Sequence, residues 1–145
     1  MRFWDSSAIV PLLLDEGGSE QTRAALREDA DMVVWWGTPV EVLSALAGAE
    51  RAHALRPADV DLARRALEDL GERWNEVLPS DEVRERAGIG LLRHPLRAGD
   101  ALQLGAALTW ARGRPRAHRF LTLDERLAEA ARQEGFDVLA PPTNG

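Results

Sequence analysis

Four acidic residues of this chain stand where predicted strands end or predicted helices begin, namely Asp5, Glu41, Asp100 and Asp124. Asp5 follows the run RFW, Asp124 follows RFLTL, and Asp100 precedes the apolar segment ALQLGAAL. Four carboxylates that converge without cations would repel one another and raise each other's pKa. One or two hard divalent cations, bound through oxygen ligands, relieve that repulsion. The pattern therefore indicates a candidate metal site built from acids.

Each acid also has an ordinary structural explanation, because acidic residues are common at helix N-termini. The segments TPVE and TLDE, which begin at Thr38 and Thr122, have the spacing of a capping box, with Asp124 as a first-turn acid or rival N-cap in the second. Asp5 could cap a helix that begins at Ser6. These explanations do not account for Asp5 and Asp124 each ending an apolar strand of the same predicted sheet.

The elements that must position these acids follow from the hydrophobic pattern. Short apolar segments of β type lie at residues 2–4, 32–36, 75–78, 119–123 and 136–140, with helical patterns between them. This alternation predicts an α/β fold with a central parallel sheet of four to five short strands and helices on both faces. Ligands of such sheets bind beyond the carboxyl ends of the strands, where strand order reverses, so the four acids can face one cleft.

Length and composition bound the class of protein. A chain of 145 residues with 45% hydrophobic and 29% charged residues predicts one globular domain over residues 1–140, with a loose tail at 141–145. The apolar segment AIVPLLL is flanked by acidic residues, so we expect no signal peptide, no membrane span and a cytoplasmic location. Cysteine is absent, which excludes disulfides and cysteine-ligated zinc.

The four acidic segments resemble, in order and spacing, the signature segments of PIN-domain ribonucleases, and above all the VapC-type toxins of prokaryotic toxin–antitoxin pairs. These segments are RFWDSSAIV, TPVEVLSALAGAE, HPLRAGDALQLGAAL and FLTLDERL. The resemblance extends from residue 2 to about residue 138, although residues 57–95 carry no family motif. It implies a single PIN-like domain in which Asp5, Glu41, Asp100 and Asp124 bind one or two Mg²⁺ or Mn²⁺ ions and are supported by the hydroxyls of Ser7 and Thr122.

The same resemblance implies a function. It predicts a divalent-metal-dependent endoribonuclease that cleaves RNA phosphodiester bonds and acts as the toxin of a toxin–antitoxin pair. A homodimer and a small antitoxin that binds near the acidic cleft are implied as partners. Two metal ions can activate water and stabilise the leaving oxygen, so no side chain has to act as a tuned base. The alternative is a catalytically silent PIN-like domain that serves as a binding or regulatory partner and holds a structural metal ion.

The basic residues exclude two other acidic-pocket families and suggest an RNA contact. All 18 basic residues are arginines, whereas receiver domains and haloacid-dehalogenase-like phosphatases both need a lysine. The net charge of −6 argues against coating nucleic acid by bulk charge, but it is compatible with a nuclease whose acids bind metal. Runs of arginine are usually solvated loops, yet four of them are candidates for binding RNA phosphates: Arg97, Arg112, Arg114 and Arg116.

Aromatic residues are expected to serve the core. Trp35 and Trp36 are adjacent, so one of them should enter the core while the other points away. Trp4 and Trp110 are predicted to lie in the core or in a dimer interface, with stacking on a base as the less favoured interpretation. The three histidines are expected to be structural or to face solvent.

Overall fold

The computed structural model describes residues 1–14 and 19–140. Its five strands are β1 (Arg2–Trp4), β2 (Met32–Trp35), β3 (Asn75–Val77), β4 (Arg119–Leu121) and β5 (Asp137–Leu139). Its helices are α1 (Ser6–Leu13), α2 (Ser19–Glu28), α3 (Thr38–Arg51), α4 (Pro57–Gly71), α5 (Asp81–Arg93), α6 (Ala98–Trp110) and α7 (Glu125–Glu134). No helix in these two ranges is long and apolar enough to cross a membrane. The loose tail predicted at 141–145 lies outside the described residues.

All neighbouring strands of the sheet run parallel, in the order β3-β2-β1-β4-β5. Phe3 of β1 lies opposite Val33 of β2 on one side and Phe120 of β4 on the other. The chain builds β2 and β3 outward from β1 in one direction, and β4 and β5 in the other. Strand order therefore reverses between β1 and β4, which places their carboxyl ends side by side. The predicted parallel α/β sheet is confirmed, including its fifth strand.

Helices cover both faces of the sheet, as predicted. Successive side chains of a strand point to opposite faces, so Phe3 packs with α5–α7 while Trp4 packs with α1–α4. The rings of Phe3 and Phe120 stack with their centroids 5.2 Å apart. Trp35 is 8% exposed and lies in the core, whereas Trp36 is 54% exposed. The expectation that one of these two tryptophans enters the core while the other points away is thus confirmed.

Helix α6 is buried on more than one side, which explains why its sequence is apolar almost all round. Its buried residues are Ala101, Gln103, Leu104, Gly105, Ala106, Ala107 and Leu108, so it is covered by the sheet and by α5 on different sides. At Gly105 the two helices come very close, because a Cβ atom there would lie 2.8 Å from the carbonyl oxygen of Val83. The N-terminal half of α6, which contains Asp100 and Gln103, lies at the carboxyl edge of the sheet.

Candidate active site

The four acids come from four different elements at the carboxyl edge of the sheet. Asp5 follows β1 directly, and Asp124 follows the end of β4. Glu41 lies in the first turn of α3, which follows β2, and Asp100 is the third residue of α6. Because β1, β2 and β4 are adjacent and parallel, their carboxyl ends lie together, and the acids that follow them face the same region.

Asp5 is the most buried of the four, with 3% of its surface exposed. It caps α1 by accepting a hydrogen bond from the backbone N–H of Ser7, so its ordinary structural role is present. Its Oδ2 also accepts from the hydroxyls of Ser7 and Thr122, the latter at 2.8 Å. Burial raises the pKa of Asp5 most, hydrogen bonds from Ser7 and Thr122 oppose the shift, and repulsion from Asp100 adds to it.

The hydroxyls of Ser7 and Thr122 also connect the ends of β1 and β4. Ser7 Oγ accepts from the backbone N–H of Leu123 at 2.8 Å, and Thr122 Oγ1 accepts from that of Asp124 at 3.0 Å. Both hydroxyls therefore contact Asp5 and hold the segment that leads to Asp124. This is where side chains that support the acids would have to lie.

Glu41 is joined to Asp5 through a residue that the sequence analysis missed. Ser6 Oγ lies 2.8 Å from Glu41 Oε2 and 3.3 Å from Asp5 Oδ1, so one hydroxyl links the two carboxylates. Gln103, also missed, is fully buried and donates from Nε2 to Glu41 Oε1 at 3.3 Å and to Thr38 Oγ1 at 3.0 Å. The spacing of Asp100 and Gln103, three residues apart on one helix, is the signal that places them on the same face.

Asp100 and Asp124 line an open cleft of about 580 Å³ together with Arg97, Glu125 and Arg126. Burial raises the pKa of Asp100, and repulsion from Asp124 raises it further. The guanidinium groups of Arg97 and Arg126 act in the opposite direction. Arg97, a predicted RNA contact, lies in this cleft. Arg126 also lies there but was not predicted. Its position two residues after Asp124 places it at the same helix start.

Two local predictions about capping are wrong. Gly37 is the N-cap of α3, and the Thr38 hydroxyl accepts from Gln103 instead of forming a capping box with Glu41. Asp124 is the N-cap of α7, where its Oδ1 accepts from the backbone N–H of Leu127. The alternative in which Asp124 is the N-cap is thus confirmed, and the second capping box is absent because the Thr122 hydroxyl is buried against Asp5.

The donor set fits a hard divalent cation by its chemistry. Burial and the neighbouring carboxylates raise the pKa of Asp5, Glu41 and Asp100 together. Among the described residues, none of these acids forms an ion pair. Carboxylate oxygens are the ligands that Mg²⁺ and Mn²⁺ prefer. Over the same residues, no three Asp, Glu or His side chains are already arranged around one point as a metal site.

The remaining arginine candidates lie away from these acids. Arg112, Arg114 and Arg116 are exposed in the loop that precedes β4, which is at the amino-terminal edge of the sheet. The acids lie at the carboxyl-terminal edge. The structure therefore brings Arg97 to the cleft but not the other three.

The stability of the metal-free protein depends on the repulsion among these carboxylates. Because the pKa of Asp100 is raised in the folded state, its charged form destabilises the fold. The free energy of unfolding therefore falls as the pH rises through the folded-state pKa of Asp100. In chelator at neutral pH, we expect Asp100→Asn to be as stable as the wild type or more stable by up to about 1 kcal/mol, since solvent screens this half-exposed group. Thermal unfolding measures the difference, which should shrink on acidification below the ordinary pKa of aspartate. A less stable variant at neutral pH would show that Asp100 is only a helix-start acid.

Comparison with known proteins assigns the family. A stretch of 107 residues is 36% identical to Ribonuclease VapC45 and to Ribonuclease VapC49 of Mycobacterium tuberculosis, and it covers 73% of this chain and 74% of each relative. The chain belongs to the VapC ribonuclease family. The resemblance to VapC-type ribonucleases drawn from the acidic segments is thus confirmed. No protein-family profile matches the chain.

Solved structures share the fold of this protein over nearly the whole chain. A toxin–antitoxin complex from Klebsiella pneumoniae has 19% sequence identity and a TM-score of 0.64, covering 98% of each chain. FitAB bound to an IR36 DNA fragment has 16% identity and a TM-score of 0.66, covering 97% of this chain and 95% of that one. FitAcB from Neisseria gonorrhoeae has 17% identity and a TM-score of 0.64, covering 97% and 96%. At these identities the likeness concerns the fold.

Proposed function

We propose that this protein is a divalent-metal-dependent endoribonuclease in which Asp5, Glu41, Asp100 and Asp124 hold Mg²⁺ or Mn²⁺. Its VapC relatives are named ribonucleases, which supports RNA as the substrate class. The observation that carries the proposal is the convergence of carboxylates that repel one another and have no ion-pair partner in the described chain. Asp5 and Glu41 are both repelled by Asp100, and Asp100 is repelled by Asp124. Carboxylates that repel one another can lie this close together if a divalent cation binds between them and offsets the repulsion.

The residues of the site have different tasks in this proposal. Asp5 is held by Ser7 and Thr122, so its orientation is determined before any ligand arrives. Glu41 is held by Ser6 on one oxygen and by Gln103 on the other. When bound, a divalent cation would supply Lewis-acid stabilisation of the charge that develops during phosphodiester hydrolysis.

The open side of the cleft would receive the RNA backbone. Asp100 and Asp124 face the cleft beside Arg97 and Arg126. Guanidinium groups bind phosphate oxygens through charge-assisted hydrogen bonds, so these two arginines can hold a phosphate against the acids. Within the described part of the chain, none of the residues that line the cleft is a histidine. This agrees with a mechanism in which no side chain serves as a tuned base.

We also propose that the protein is the toxin of a toxin–antitoxin pair and that it forms a homodimer. One structural relative is a toxin–antitoxin complex, which supports an antitoxin partner. An antitoxin with a cationic side chain would neutralise the acids and silence the site. The alternative is a catalytically silent PIN-like domain that serves as a binding or regulatory partner and holds a structural metal ion.

Metal dependence of RNA cleavage tests the proposed function. We expect labelled RNA to be cut internally by the purified protein in Mg²⁺ or Mn²⁺, and to remain intact in chelator. Adding the metal back after chelation should restore cleavage. Equal cleavage in chelator would contradict the metal requirement. A rise in melting temperature with metal, combined with no cleavage of any cellular RNA, would favour the silent domain.

A further inference from the structure

The loop that joins α6 to β4, residues 111–118, carries positive charge that the candidate active site does not use. Its three exposed arginines are Arg112, Arg114 and Arg116. No ion pair with any described residue occupies them, whereas the next arginine, Arg119, is paired with Asp137 at 3.0 Å. Uncompensated guanidinium groups in a chain of net charge −6 create a local site for an anion.

Beside these arginines lies a cavity of about 390 Å³ with an aromatic wall. Its lining residues are Trp110, Ala111, Arg112, Arg114 and His118, so none of them is acidic. The rings of Trp110 and His118 meet edge to face, with centroids 4.6 Å apart. The Nδ1 of His118 lies 2.9 Å from the carbonyl oxygen of Arg114, which can only accept, so Nδ1 is the protonated nitrogen. Aromatic rings next to guanidinium groups are the combination that holds a base together with its phosphate.

The backbone at Arg112 gives an independent indication. Arg112 has φ of +52° and is the first residue after the C-cap of α6, followed by Gly113 at +70°. Helices that end in this left-handed conformation usually place glycine at that first position, because other residues meet a steric cost there. Glycine at 112 would therefore suit the fold better. Strained residues of this kind cluster at functional sites, and here the strain coincides with the cavity that Arg112 lines.

We propose that this loop and its cavity form a second RNA-binding site, which takes a nucleotide of single-stranded RNA. The phosphate would bind Arg112 and Arg114, and the base would lie against Trp110 and His118. The choice of RNA rests on the proposed ribonuclease function and extends it to how the substrate is held. Trp110 lies ten residues after Asp100 on α6, which is about 15 Å along the helix axis, so the site anchors RNA away from the point of cleavage.

The test measures binding with the full chain carrying Asp100→Asn, so that the RNA is not cut. Fluorescence anisotropy with a labelled single-stranded oligouridylate gives Kd over a range of salt concentrations. We expect Arg114→Ala to weaken binding and to lower the slope of log Kd against log salt by about 0.7, the value for one lost phosphate contact with a single strand. Arg84→Ala, an exposed arginine on α5, should leave that slope unchanged.

A second substitution separates binding from stability. Arg112→Gly should weaken RNA binding with the same loss of slope and yet raise the melting temperature by a few degrees. His53 is the matched control, since it also follows a helix C-cap with a positive φ of +57°. His53→Gly should raise the melting temperature without changing Kd. Opposite effects on binding and stability at 112 cannot come from damage to the fold.

The outcomes distinguish this site from the proposed catalytic function. Unchanged salt slopes in both Arg112→Gly and Arg114→Ala would overturn the site, even if the wild-type protein cleaves RNA. Reduced slopes in a protein that cleaves no RNA would support the site and reject the nuclease. Displacement of the oligouridylate by polyglutamate at equal charge concentration would show an unselective anion site and would also overturn the proposal.

Discussion

Asp100→Asn is expected to reduce RNA cleavage by at least about 100-fold while the protein stays folded. Asp100 faces the open cleft, and its carboxylate is in electrostatic contact with Asp5, Glu41 and Asp124. The amide keeps the volume of the side chain but removes the negative charge that a divalent cation requires. Initial rates on labelled RNA, with circular dichroism as the check on folding, measure the effect.

Asp59 provides a closely matched control for this prediction. Each residue is the third of its helix, follows an arginine N-cap and accepts a hydrogen bond from the backbone N–H of that arginine, Arg56 for Asp59 and Arg97 for Asp100. Asp59 lies on α4, away from the acids. Asp59→Asn should therefore cleave RNA at the wild-type rate. Equally reduced rates in both variants would show that Asp100 acts only through the helix, and wild-type rates in both would show that cleavage does not need the Asp100 carboxylate.

Gly105→Ala is expected to destabilise the protein by about 1–3 kcal/mol, because it forces α5 and α6 apart. A Cβ at this position would lie 2.8 Å from the carbonyl oxygen of Val83 and 2.9 Å from the backbone nitrogen of Ala87. Both contacts are with backbone, so no side chain can rotate to relieve them. Denaturant unfolding at neutral pH measures the loss as a lower midpoint with an unchanged slope.

Gly88 of α5 is the control for Gly105. No atom lies within 4 Å of a Cβ built at Gly88, so alanine there meets open space. Gly88→Ala should stabilise the protein by up to about 1 kcal/mol, the difference in helix propensity between the two residues. If Gly105→Ala stabilised the protein equally, α5 and α6 could not approach each other as closely as the structure shows.

Most of the fold could be predicted from the sequence because its signals are local. The strand predicted at 119–123 is observed over Arg119–Leu121, and the segment predicted at 136–140 forms β5. Errors concern element ends. The segment TPVEVLSALAGAERAHAL has a helical pattern to Leu55, but α3 ends at Arg51 because His53 adopts a left-handed conformation without being glycine. The sequence has no glycine or asparagine at residues 52–55 that would predict this turn.

The candidate site could be predicted only in part. That the acids share one edge follows from parallel topology, because strand ends in such a sheet lie together. The contacts of Ser6 and Gln103 with Glu41 could not be predicted, since they join side chains that are 35 and 62 residues apart in the chain. The resemblance implied a supporting role for the Thr122 hydroxyl, but only the tertiary structure shows that it donates to Asp5 and forms no capping box.

The sequence by itself determined the alternation of elements, the parallel sheet and the edge to which its four acids belong, because each depends on periodicity or on position relative to a strand end. Only the tertiary structure decided which side chains touch those acids, because these contacts join residues far apart in the chain. Arg112, Arg114 and Arg116 are close to β4 in the chain, yet they lie at the edge opposite the acids. Each crossover helix carries the chain back across the sheet before the next strand begins, so proximity in sequence does not imply proximity at the site.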